Sequence, residues 1–130
     1  MPIEALKKGE CTHQEMLDLF NRALIYVGAS KSDGVSTSVL EAMSQGAFPI
    51  QTDSSCADEW FRDGTSGLSV ETGRVGQIYS AVCRVLNGSF DLTKARAINR
   101  EVIRSRNNPQ FSASLAIGSY KKALLLKESE

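Results

Sequence analysis

Ser32-Asp33-Gly34-Val35-Ser36-Thr37-Ser38-Val39-Leu40-Glu41-Ala42-Met43-Ser44-Gln45-Gly46 reads as a loop running straight into a helix. Asp33 and Gly34 belong to the loop, the small residues Ser36, Thr37 and Ser38 stand where the helix opens, and Glu41 follows about one turn in. A helix start leaves its first N–H groups without internal partners, and the positive end of its dipole favours an anion, so phosphate can be received there. Two carboxylates, Asp33 and Glu41, flank those amides and can accept hydroxyl groups of a sugar. The same residues admit plainer explanations. Ser38-Val39-Leu40-Glu41 fits a capping box in which the carboxylate returns to a backbone N–H, and Asp before Gly is common turn chemistry.

The flanking segments alternate between strand and helix. Thr12 with Glu15 three residues later is a capping box, and Met16, Leu17, Phe20 and Leu24 recur at helical spacing, which predicts a helix over 12–22. The apolar run 24–27, closed by Gly28, suits a strand buried on both faces of a parallel sheet. The helix over 37–45 is apolar almost all round and stops at Gly46, a suitable left-handed cap. A second strand over 47–51 contains Pro49, which fits only where its missing N–H is not needed. One or two helical turns over 57–62, a turn over 63–67 and a third strand over 68–70 follow. Helices are predicted over 75–86, 92–105 and 112–127, the last with Leu115, Ile117, Tyr120 and 124–126 making one side apolar. The pattern is α/β, with a partial parallel sheet of about three strands, helices on both faces and a helical C-terminal part.

Composition narrows the function classes. The 130 residues suffice for one domain with a real core, and 15 basic residues balance 15 acidic ones, so no long-range field draws the chain to nucleic acid. Cys11, Cys56 and Cys83 are odd in number and form no Cys-x-x-Cys pair, which favours reduced thiols in a cytoplasmic protein. No signal peptide or membrane-spanning run is present in the sequence. Metal chemistry has little support, because no Asp-x-Asp occurs and His13, the single histidine, lies in a capping turn. Gly34-Val35-Ser36-Thr37 lacks the second glycine of a nucleophile elbow. No Gly-x-Gly-x-x-Gly fingerprint of a Rossmann oxidoreductase occurs either.

Beyond the two acids, Ala23 to Gly34 is similar to a hydrophobic run ending in Pro-Ser-x-x-Glu-Gly, and Leu40-Glu41-Ala42-Met43, Gly46, Pro49, Glu59, Asp63-Gly64, Gly67-Leu68 and Val70 follow in matching order. The stretch resembles the Asp/Glu-x7-Glu motif of the retaining group 1 glycosyltransferases, which bind a nucleotide-diphosphate sugar between two Rossmann-like domains. The resemblance is strongest over 23–70 and looser over 12–120. It implies that the chain is the distal half of a GT-B C-terminal donor-binding domain. It further implies a role in polysaccharide or glycoconjugate biosynthesis, without a cofactor.

On that basis Asp33 would contact the transferred sugar, the backbone of Gly34, Val35, Ser36, Thr37 and Ser38 the phosphates, and Glu41 the ribose, while Glu59 has a structural place. Asp33 stands where the family usually has Glu, Leu24 where Asp is common and Ala29 where Pro is common. The family's phosphate-binding Arg and Lys lie on earlier units that Lys7 and Lys8 do not match, so the chain alone is expected to be inactive. Its partners would be the nucleotide-diphosphate sugar and an N-terminal acceptor domain. Self-association through the edge strand or last helix is a further expectation, as is contact with the inner membrane face through Lys94, Arg96, Arg100, Arg104 and Arg106. A non-catalytic Rossmann-like interaction module is the alternative from another class.

Overall fold

A computed structural model describes residue 7, residues 9–34 and residues 36–128. Helix α1 (His13–Arg22) opens on Thr12. The Thr12 N–H donates to the Glu15 carboxylate at 2.7 Å and the Glu15 N–H returns to the Thr12 hydroxyl at 3.3 Å, so the expected capping box forms. The Thr12 N–H foremost, and then the Thr12 hydroxyl, which donates to the same carboxylate at 2.7 Å, hold the Glu15 carboxyl below its ordinary pKa. Strand β1 (Ile25–Gly28) leads through the loop to helix α2 (Thr37–Gln45), then to strand β2 (Phe48–Thr52). A short 3-10 helix (Cys56–Glu59), strand β3 (Leu68–Val70) and helices α3 (Val75–Leu86), α4 (Leu92–Arg106) and α5 (Pro109–Glu128) complete the order.

The three strands form a parallel sheet in the order β1-β2-β3, with Ile25 opposite Phe48 and Ile50 opposite Leu68. Side chains alternate across it. Phe48, Ile50, Leu68 and Val70 pack with Ala81 and Val85 of α3, with Ile25 against them. Tyr26 points the other way, toward Val39 and Met43 of α2, Ala57, Phe61 and Ile103 of α4. Helices therefore cover both faces, as the alternating pattern predicts, and α/β is the observed class.

Pro49 lies on the central strand, where a missing N–H would ordinarily break a ladder. Phe48 already donates to Leu24 O at 2.9 Å on the β1 side, so Pro49 nitrogen faces the β3 side. Pairing with β3 begins at Ile50, one residue later. The expectation from sequence is met because β3 is short. Past the ladder, Asp53 accepts from the Thr72 hydroxyl at 2.7 Å and the Thr72 N–H at 2.9 Å, tying the two strand exits together. Those bonds, the hydroxyl's first, lower the Asp53 pKa.

The basic run on α4 has work inside the fold. Arg96 Nε donates to Gly46 O at 3.1 Å, Arg100 Nε to Ser44 O at 3.3 Å and Arg100 Nη2 to Gln45 O at 3.0 Å. These are the carbonyls that the C-terminus of α2 leaves without helical partners. Gly46 itself turns the chain at φ +103°, the left-handed cap predicted for it. Arg104 pairs with Glu101 at 3.0 Å, and Arg106 stacks over Trp60 and donates to Glu59 O. Two of the five residues expected at a membrane thus hold the end of α2.

α5 departs from its expectation. Its apolar residues do not share one side: at 100° per residue Phe111, Leu115 and Leu126 lie on one stripe, and Ile117, Tyr120 and Leu124 on the opposite one. All six are exposed. Among the described residues no helix is long and apolar enough to cross a membrane.

At the carboxyl end of the first ladder, Gly28 pairs with Gln51, and a Cβ on Gly28 would stand 1.8 Å from Gln51 Oε1. Gln51 is 1% exposed, so its amide has little room to retreat. Gly28→Ala should therefore destabilise the chain by about 1–3 kcal/mol in urea unfolding. The same change in a Gln51→Ala background should cost clearly less, since neighbouring substitutions that share a contact couple. An equal cost in both backgrounds would show that the close approach is not the cause.

Candidate functional site

The loop over 29–36 is held at the carboxyl ends of β1 and β2, the position where open parallel sheets present ligands. Ser30 O accepts from the hydroxyl of Thr52 at 2.7 Å and from that of Ser54 at 2.5 Å. Farther along, Gly34 O accepts from the Cys56 N–H at 3.2 Å. The loop is thus fastened to the segment after β2 at both ends. Gly34 does not have a left-handed φ, and a Cβ there would meet nothing within 4 Å. The fold itself makes no demand for glycine at this point, and the space beside it is open.

Helix α2 begins at Thr37 with Ser36 as its N-cap, and the Ser36 side chain makes no capping bond. Val39 and Leu40 donate to Ser36 O at 3.2 and 3.4 Å. The N–H groups of Thr37 and Ser38 precede any helical acceptor and point out of the helix end. Ser36 is half-buried, while Thr37 and Ser38 are exposed. Val35, expected in the same cradle, lies outside the described residues.

Asp33 and Glu41 have different surroundings. Asp33 is exposed and makes no hydrogen bond or ion pair among the described residues, so its carboxylate is unencumbered. Glu41 stands on the fifth residue of α2, and its side chain is 26% exposed. The capping box suggested by Ser38 and Glu41 does not form. With Ser36 as N-cap the third helical position is Val39, so Glu41 is two residues too far along to return to the cap. Its carboxylate Oε1 instead lies 3.6 Å from His13 Nε2.

His13 is the neighbour of Glu41 that the sequence does not reveal. It is the first residue of α1 and 70% exposed, which fits the surface position expected for it. Its neighbour across the helix pair was not readable, because it depends on how α1 docks against α2. The one usable signal was the Thr12 capping box, which fixes where α1 starts and so where the imidazole emerges.

A separate hollow of about 500 Å³ opens beside α4, lined by Trp60, Phe61, Ile98, Val102 and Arg106 among others. Neither Asp33 nor Glu41 lines it. The unpaired amides of Thr37 and Ser38 at the start of α2, which suit an anion, and the Asp33 and Glu41 carboxylates, which can accept hydroxyl groups, make this end of the sheet the candidate site. Among the described residues no group of three or more His, Cys, Asp or Glu side chains is placed to hold a metal ion.

A family model described as Glycosyl transferases group 1 matches residues 7–88. The match runs from before α1 to the end of α3 and takes in every residue of the site. A search of the curated proteins finds no match. With more than half of its length matched and the parallel α/β fold in place, the chain belongs to the group 1 glycosyl transferases, and its role in general terms is glycosyl transfer.

Proposed function

We propose that this chain carries the distal part of the donor-binding domain of a retaining glycosyltransferase of GT-B architecture. It acts in the cytoplasm on a nucleotide-diphosphate sugar, in polysaccharide or glycoconjugate synthesis. The observation that carries this is the freedom of Glu41: a half-buried carboxylate beside the opening of α2, bound neither to its cap nor into the core. Two charge-assisted hydrogen bonds from a ribose diol suit such a group. In this proposal the Thr37 and Ser38 amides, with the backbone of Gly34 and Ser36, receive the diphosphate, and Asp33 reaches the transferred sugar.

When the bond from the anomeric carbon to the diphosphate breaks, negative charge develops on the departing phosphate. Aligned amides stabilise it without reorganising, a contribution commonly worth about 3 kcal/mol per donor. The cations that complete such a clamp, and the acceptor domain, come in this proposal from outside the residues gathered here. The chain alone should bind donor without measurable turnover. The open side of β1 supports placing further strands of the domain beside it.

Titration of the purified chain with nucleoside diphosphates tests the site. Binding is expected, and Glu41→Ala should weaken it about tenfold or more, the worth of hydrogen bonds to a charged group. A folded chain that binds no nucleotide would favour the non-catalytic interaction module instead.

The β1 edge leads to a second measurement. Leu24 and Val27 are 46% and 42% exposed at β1, whose outer edge has no strand partner among the described residues, a template for pairing with another copy. Light scattering should show concentration-dependent association that Val27→Lys reduces. A monodisperse parent chain at high concentration would remove this expectation.

A further inference from the structure

We propose that His13 is a positioning residue for Glu41, holding one carboxylate oxygen so that the other faces the ribose diol. The inference rests on the donor-site assignment above and adds a residue to it. Nε2 of His13 lies 3.6 Å from Glu41 Oε1, an ion-pair distance somewhat longer than a hydrogen bond. Among the described residues it is the one polar side chain within ion-pair reach of that carboxylate. The imidazole hangs from a fixed point, because the reciprocal Thr12–Glu15 bonds pin the first turn of α1. α1 and α2 are packed against each other, so the two side chains are presented by elements that do not drift apart.

The physical benefit is one of ordering. A glutamate on a helix surface has several freely rotating bonds, and a ligand that needs it in one rotamer must bear the entropy of fixing it. An imidazole N–H on one oxygen removes part of that freedom beforehand. It leaves the second oxygen, which has no partner among the described residues, for the incoming hydroxyls. Nε2 carries a proton in the imidazolium and in one neutral tautomer, so either form can present an N–H toward the carboxylate. Because His13 is largely exposed, the effect is modest, about two- to fivefold in affinity.

The test separates this role from general support of the fold. Uridine, guanosine and adenosine diphosphates are titrated into the full chain, each beside its 2′-deoxy counterpart, which lacks one of the hydroxyls that Glu41 receives. The parent should prefer the ribo forms. His13→Ala should shrink that preference about two- to fivefold by weakening the ribo forms selectively, and His13→Gln, which keeps a neutral N–H donor, should restore much of it. A merely structural role for His13 would weaken ribo and deoxy forms alike. If His13→Ala does not fold, His13→Phe keeps a ring without a donor and should show the same loss of preference.

Should the preference survive His13→Ala or His13→Phe but collapse in Glu41→Gln, the donor site stands and the positioning role is overturned. A preference indifferent to Glu41→Gln, or a chain that binds none of the six nucleotides, overturns the donor-site assignment and this inference with it.

Discussion

The placement of α2 is the constraint on which the rest depends. Val39, Ala42 and Met43 are fully buried, so the helix is fixed along its length by the sheet and by α4. Its far end is held by Gly46 and by two arginines reaching from α4 to Ser44, Gln45 and Gly46 carbonyls. Its near end follows a loop fastened through Ser30 O and Gly34 O. Amides at the start of such a helix have no freedom to follow a ligand, and their direction is set before anything binds.

Burial and exposure are divided along α2 in a way that suits a binding wall. The residues that anchor it are small or flexible apolar groups, while Thr37, Ser38 and Glu41 remain toward solvent at its opening. The pair with His13 extends that wall onto α1, so the first two helices contribute to one surface. Arg106 stacked at 4.6 Å over Trp60, and its bond to Glu59 O, fasten the 3-10 segment to α4.

Most of the architecture was legible because it is written locally. A capping box, an apolar run before Gly28, a left-handed glycine and regular helical spacing each depend on residues within a few positions of one another. The parallel pairing followed from strand–helix alternation. What escaped notice is carried by pairs distant in sequence. Arg100 and Ser44 are 56 residues apart and Arg96 and Gly46 are 50 apart, so two arginines of an exposed basic run also serve as an end-clamp that local pattern does not reveal. The Ser38–Glu41 box failed for a local reason: the helix takes Ser36 as its cap and shifts the frame by two residues. Of the candidate site, the loop and the helix opening were visible from the order of residues over 32–46, whereas the imidazole beside Glu41 required the packing of two helices.

The opposed stripes of α5 have a thermodynamic consequence. Phe111, Leu115 and Leu126 on one side, with Ile117, Tyr120 and Leu124 on the other, leave this 20-residue segment nearly uncoupled from the sheet's core. Most helical stability in proteins comes from tertiary packing of an apolar face, which this segment largely lacks. Loss of ellipticity on heating would then spread over two events, an early gradual one from this segment and a sharper one from the α/β body. Only the second would qualify for all-or-none analysis.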